Sequence, residues 1–341
     1  MDLTGLSNPE ILIEAIKTIT NNDLAIFTDS NLIMTNVPGV LDMVLTQSGL
    51  KDVVTIPAGI DWNSELMRIV DVLNTEAFNL VAYKDGKFDL TGINNLGTII
   101  EAVKTITSDD LAIFTDSKLI MSNIDSVLGM ALAQSGLEGL VTIPAGTDWN
   151  SELMRIVNVL HTEAVNTLLY NAAGELTFEG IKNLEVIINA VKTITSDDLA
   201  ILTDSKLVMS NIDMVLDMAL TQSGLKELVT IPAGTDWNSE LMNIANVLNT
   251  AAFNTLLYKD GKMDFTRVSN PEILIEAIKT ITNNDLAIFT DSNLVMTNVP
   301  AVLDMVLTQA GLKDVVTIPA GTDWNSELMR IVDVLNTEAF N

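Results

Sequence analysis

The stretch Asp61-Trp62-Asn63-Ser64-Glu65-Leu66-Met67 decides how this chain is read, because it returns unchanged at 148–154, 236–242 and 323–329. Its tryptophans, Trp62, Trp149, Trp237 and Trp324, stand 87, 88 and 87 residues apart, and Lys17, Lys104, Lys192 and Lys279 keep the same spacing. A motif recurring at one period from end to end marks a repeat architecture before any helix or strand propensity is consulted. The copies align with a single insertion at Ala172-Ala173. They define four modules: 1–87, 88–175, 176–262 and a shorter 263–341.

The outer modules resemble each other more than they resemble their neighbours. Residues 7–79 and 269–341 differ only at Ile33/Val295, Gly39/Ala301, Ser48/Ala310 and Ile60/Thr322. The middle pair shares Ser108-Asp109 and Ser196-Asp197 where the outer pair reads Asn21-Asn22 and Asn283-Asn284. This points to a larger repeat of three modules whose fourth opens the next round, and to a segment of a longer array. Identity among such copies reflects ancestry and by itself marks no residue as functional.

A module of about 87 residues is small for an independent core, so neighbouring modules are expected to share one. The net charge of −27 opposes a nucleic-acid partner, which needs a basic face. An apolar fraction of 48% is too high for a disordered acidic chain, which places the acid on a folded body. With no cysteine there are no disulfides, thiolate metal sites or cysteine nucleophiles. No signal peptide opens the chain, and no uncharged apolar stretch reaches the roughly 18 residues needed to span a bilayer, so no membrane insertion is expected. An extended cysteine-free protein suits an extracellular or cell-surface setting, with the cytoplasm as the alternative.

Within a module, Asn8-Pro9-Glu10 reads as a helix start, followed by an apolar stripe of Ile11, Leu12, Ala15, Ile16 and Ile19. Thr20 and Asp23 read as a second cap, and Asp29-Ser30 as the cap of a short turn to Met34. A further helix is expected to start around Pro38 and stop at Ser48-Gly49-Leu50. The β-branched run 53–56 predicts a short strand. Asp61 then opens the longest predicted helix, with Trp62, Leu66, Ile69, Val70, Leu73 and Ala77 on one face. Lys84-Asp85-Gly86-Lys87 predicts a two-residue hairpin between 80–83 and 88–90. No junction is rich in glycine, serine or proline, so the modules should stack directly. The fold expected is mainly α with minor β: a tandem array of four helical modules in an extended, solenoid-like rod, with a short β-hairpin between modules.

Candidate chemistry is sparse. His161 is the only histidine and falls where the other modules have Asn74, Asn249 and Asn336, which suits drift on a solvent-facing position better than catalysis. The four Trp62-type turns could present an aromatic for sugar stacking or protein contact, while their phase with Leu66 and Ile69 favours a core anchor. Acidic oxygens at Asp23, Asp29 and Asp85 to Asp89 suit Ca²⁺ chemically but follow no twelve-residue loop, and capping or turn roles account for them. Met34, Met43 and Met67 read as core filling. No catalytic residue, cofactor or metal is expected. The reading is a non-catalytic structural segment, stalk, spacer or adhesive array, of a longer bacterial surface protein whose partners are its own neighbouring modules. The alternative is a solenoid that binds a protein, peptide or glycan, with Trp62, Trp149, Trp237 and Trp324 as the contact residues.

Overall fold

The computed structural model describes residues 8–337, and the chain is mainly helical, with 67% helix against 4% strand. It divides into two compact units. The first runs to His161 and takes in Ser205–Leu207; the second holds Thr162–Asp204 and the chain from Val208 onward.

The first unit contains α1 (Pro9–Lys17), α2 (Asn21–Asp29), α3 (Asn31–Gln47), α4 (Trp62–Leu73), α5 (Glu76–Ala82), β1 (Tyr83–Lys84) and β2 (Lys87–Phe88). It continues with α6 (Leu96–Lys104), α7 (Ser108–Asp116), α8 (Lys118–Met121), α9 (Ile124–Gln134) and α10 (Trp149–Leu160). The second contains α11 (Glu163–Leu169), α12 (Glu179–Lys182), α13 (Leu184–Lys192), α14 (Ser196–Asp204), α15 (Lys206–Ser223, from Val208), α16 (Trp237–Leu248) and α17 (Ala251–Leu257). After β3 (Tyr258–Lys259) and β4 (Lys262–Met263) come α18 (Pro271–Lys279), α19 (Asn283–Asp291), α20 (Asn293–Gln309) and α21 (Trp324–Leu335).

Capping explains where the helices begin. Asn8 accepts from the Glu10 amide at 3.0 Å with Pro9 in the first turn. Thr20 and Asp23 bond reciprocally, Thr20 N to Asp23 Oδ2 at 3.0 Å and Asp23 N to Thr20 Oγ1 at 3.3 Å, and Thr107/Asp110 and Thr282/Asp285 do the same. Each such box satisfies donors that a helix start otherwise leaves open.

Several expected elements take another form. Residues 53–56 are turn and irregular chain: the Val53 and Val54 amides bond back to Leu50 O, so local turns use up what a strand ladder would need. The helix opened by Asp61 ends at Leu73, where Asn74 caps its C-terminus and the Thr75 hydroxyl starts α5 by accepting from Phe78 N at 3.2 Å. Residues 80–82, expected as a hairpin strand, lie in α5, and the strands are two residues each. Helix α3 runs through Pro38 as one 17-residue helix with Ser30 as its cap, which makes it longer than α4. The separate turn appears in the second module, where α8 and α9 break at Ser122-Asn123.

The hairpin expectation holds at 83–88 and 258–263, where Asp85 (φ 52°) with Gly86 (φ 73°) and Asp260 (φ 52°) with Gly261 (φ 76°) take the left-handed conformations of a tight two-residue turn. At the insertion it shrinks to one bridge between Tyr170 and Leu176.

The first unit has a core of Leu24, Leu66 and Val70, joined by Ile16, Ile19, Phe27 and Met34. The second has Leu184, Ile187, Ala219 and Leu220, and a separate cluster of Val247, Ala252 and Phe289. One sequence shows what context does. Helices α1 and α18 both read Pro-Glu-Ile-Leu-Ile-Glu-Ala-Ile-Lys, yet α1 buries Ile13 and exposes Ile11 and Ala15, whereas α18 buries Leu274 and Ala277 beneath α17. The stripe expected for α1 is the one seen in α18.

Candidate functional site

The structure's most distinctive group is a glutamate that the sequence reading passed over. Glu65, Glu152 and Glu240 lie in the first turns of α4, α10 and α16, four residues after the capping aspartate, and all three are buried. In the first unit Glu65 Oε1 accepts from Ser117 Oγ at 2.6 Å and Leu119 N at 2.8 Å, and Oε2 accepts from Lys118 N at 3.2 Å. In the same unit Glu152 Oε1 accepts from Ser205 Oγ at 2.6 Å and Leu207 N at 2.9 Å. In the second unit Glu240 accepts from Ser292 Oγ at 2.5 Å, Asn293 N at 3.1 Å and Leu294 N at 3.0 Å. In each case a carboxylate from one sequence module caps a helix that begins in the next.

The chemistry fits the position. A helix start presents unpaired N–H groups and the positive end of the dipole, and an anion satisfies both. Helices α19 and α20 meet at 101° around Ser292, and that bend turns the amides of Asn293 and Leu294 outward to Glu240. Ser117, Ser205 and Ser292 are fully buried; Ser117 and Ser292 each also accept from a helix amide three residues on, so each hydroxyl both donates and accepts. Arg68 and Arg155 stand 3.6 and 3.4 Å from Glu65 and Glu152. At the third glutamate Asn243 replaces the arginine and donates to Asp291 O at 2.8 Å.

A second polar contact accompanies the glutamate. Asn123 Nδ2 donates to Thr55 O at 2.9 Å and its Oδ1 accepts from Thr55 N at 2.7 Å; Asn298 and Thr230 repeat this at 2.9 and 2.7 Å. The carboxamide thus takes both backbone groups of the residue that was expected in a strand. The contact substitutes for a sheet neighbour.

The tryptophans fall into two classes. Trp149 and Trp237 are buried, and their indole N–H groups donate at 2.8 Å to Asp125 and Asp213 respectively. In the outer modules the aspartate position carries Pro38 and Pro300, and Trp62 and Trp324 are only half-buried. Met67 and Met154 are exposed, which corrects the core reading of Met67. His161 is exposed at the end of α10, with Nδ1 2.7 Å from Val157 O, the contact Asn74 Nδ2 makes with Val70 O at 2.9 Å.

Acidic side chains are taken up in capping. Hydroxyls of Ser64, Ser151 and Ser326 hold the Asp61, Asp148 and Asp323 carboxyls below the usual range, and Thr20 does so for Asp23. Among the described residues no three His, Asp or Glu side chains gather as a metal site. A last recurrent cluster sits beside the hairpins. Lys17 donates to Asn79 Oδ1 at 2.8 Å and lies 4.6 Å from the Tyr83 ring centre; Lys192, Asn254 and Tyr258 repeat it at 2.8 and 4.7 Å. Tyr83 donates to Glu14, and burial followed by that carboxylate pushes its phenol up to about 12.

Compared with protein-family models, with curated proteins and with solved structures, the chain finds no match.

Proposed function

We propose that this chain is a non-catalytic structural segment, a stalk, spacer or adhesive array, of a longer bacterial protein exposed at the cell surface. The observation that carries this reading is the recurrence of one fastening: Glu65 on Ser117, Glu152 on Ser205 and Glu240 on Ser292. When one contact joins each module to the next, the same step repeats and the modules stack in a solenoid-like rod. The strong negative charge keeps such an array soluble and apart from its neighbours.

Small-angle scattering on the intact chain tests this. A compact protein of this length has a radius of gyration of about 20 Å. The array reading expects a value well above that, with a rod-like cross-section; a value near 20 Å overturns it.

A second reading, a binding surface for a protein or peptide, is favoured by Met67, Met154 and Met329, exposed at equivalent positions. Methionine surfaces adapt to varied partners. Capture of a defined peptide by the native chain, lost when Met67 and Met154 become lysine, would favour it.

A further inference from the structure

The cluster beside the first hairpin brings an amine, a carboxamide and a carboxylate together, and the glutamate fastening uses none of the three. Glu14 and Lys17 stand three residues apart on α1, and Asn79 lies on α5, 62 residues beyond the lysine. Lys17 Nζ donates to Asn79 Oδ1 at 2.8 Å, which sets the amine beside the carboxamide carbon. Asn79 is held in that orientation, because its Nδ2 donates to Thr75 O at 2.8 Å. Glu14 Oε1 is 3.8 Å from the same Nζ and accepts from the Tyr83 hydroxyl, which itself lies 3.4 Å from Nζ. The lysine side chain is 18% exposed and lies over the Tyr83 ring, whereas Glu14 is open to water at 52%.

The second unit repeats everything except the carboxylate. Lys192 Nζ donates to Asn254 Oδ1 at 2.8 Å, and Asn254 Nδ2 donates to Thr250 O at 3.0 Å. Asn189 stands in the place of Glu14 and accepts from the Tyr258 hydroxyl at 2.9 Å. Burial holds the Lys192 amine below its usual range, which favours the neutral, nucleophilic form. What that site lacks is a group to carry protons.

We propose that Lys17 and Asn79 form a self-catalysed cross-link, in which the lysine amine displaces ammonia from the carboxamide and an amide then joins α1 to α5. Glu14 takes a proton from the Lys17 ammonium, and the freed Nζ lone pair attacks Asn79 Cγ while the carbonyl electrons move onto Oδ1. Glu14 then gives that proton to Nδ2. The Cγ–Nδ2 bond breaks as the carbonyl re-forms, and ammonia leaves through the water-exposed side at Glu14. The proton still in excess on Nζ returns to the Glu14 carboxylate and passes to the departing ammonia. One C–N bond forms and one breaks, the carboxylate is regenerated, and no oxidant is consumed. Two packed helices supply the proximity that lets an amine react with an otherwise inert amide, and the carboxylate supplies the acid and the base. The proposal stands whether or not the protein is a surface stalk.

Peptide mapping of the full chain by mass spectrometry tests it. In the native chain the tryptic peptides carrying Lys17 and Asn79 should be recovered joined, lighter by one ammonia than the two separate peptides, with no cleavage after Lys17. Lys192 and Asn254 should be recovered apart. Glu14→Gln, at an exposed position, should keep the helical spectrum and leave Lys17 and Asn79 unjoined. Asn189→Glu, also at an exposed position, should join Lys192 to Asn254. A native chain whose Lys17 and Asn79 stay in separate peptides after prolonged incubation overturns the proposal. So does undiminished joining in Glu14→Gln, joining at the native Lys192, or an unjoined Asn189→Glu variant, since each removes the carboxylate from the reaction.

Discussion

Replacing Glu65 by alanine should be among the most damaging single changes in the first unit. The carboxylate is 1% exposed and accepts three hydrogen bonds, from Ser117 Oγ, Lys118 N and Leu119 N. Alanine leaves the Leu119 amide buried without a partner and the Lys118 amide half-buried, each orphan costing about 1 to 3 kcal/mol. The Ser117 hydroxyl retains only the bond it accepts from Ile120 N at 3.2 Å. Against this stands the carboxylate's own desolvation, relieved by its removal, so the net loss should be about 3 to 5 kcal/mol, the range for breaking one side of a buried charged contact. Glu65→Gln keeps an oxygen for Ser117 and Leu119 but turns an NH₂ toward the Lys118 amide, donor against donor. It should cost less, about 1 to 3 kcal/mol. Glu327→Ala is the control, because the same residue in the same heptapeptide is half-exposed, and its effect should stay within about 0.5 kcal/mol. Urea midpoints followed by helical signal give the comparison. Equal, small shifts for Glu65→Ala and Glu327→Ala would refute the argument, since burial of the acceptor would then carry no energetic weight.

Other outcomes follow from the same structure. Asn298→Ala removes both bonds to the Thr230 backbone and should destabilise the second unit by about 1 to 3 kcal/mol, with a lower urea midpoint, whereas Asn36→Ala, whose counterpart contact is absent, should be near neutral. Acrylamide should quench Trp62 and Trp324 more readily than Trp149 and Trp237, read on variants keeping one tryptophan each; Asp125→Ala should destabilise the first unit by leaving the buried Trp149 N–H unpaired. Tyr83 has a folded-state pKa raised from 10.0 to about 12, so the neutral phenol is the form the fold favours. Its contribution is therefore whole below pH 10 and is lost as pH rises through about 12. Burial and then Glu185 also push the Tyr258 phenol up, so phenolate absorbance should show a late-titrating component, of which only the Tyr83 share moves earlier in Glu14→Gln.

The sequence by itself determined the period, the mainly helical class, the caps at Asn8, Thr20 and Asp61, and the Asp-Gly hairpins, because each of these is a local matter of side chain and backbone within a few residues. Local signals also misled. The β-branched residues 53–56 looked like a strand, but their backbone partners are Leu50 O and the side chain of Asn123, 68 residues beyond Thr55. Pro38 looked like a helix start, yet the Ser30 cap lets α3 begin earlier and pass through it. Glu65 sits on the polar flank of an amphipathic pattern and reads as a solvated acid; nothing near it in sequence announces Ser117. Only tertiary structure decided that this acid is buried, that the Trp149 indole reaches Asp125, and that one nine-residue sequence buries different faces as α1 and as α18. The reason is common to all three: burial and hydrogen-bond satisfaction depend on what a segment distant in sequence brings to the surface, and no local pattern carries that information.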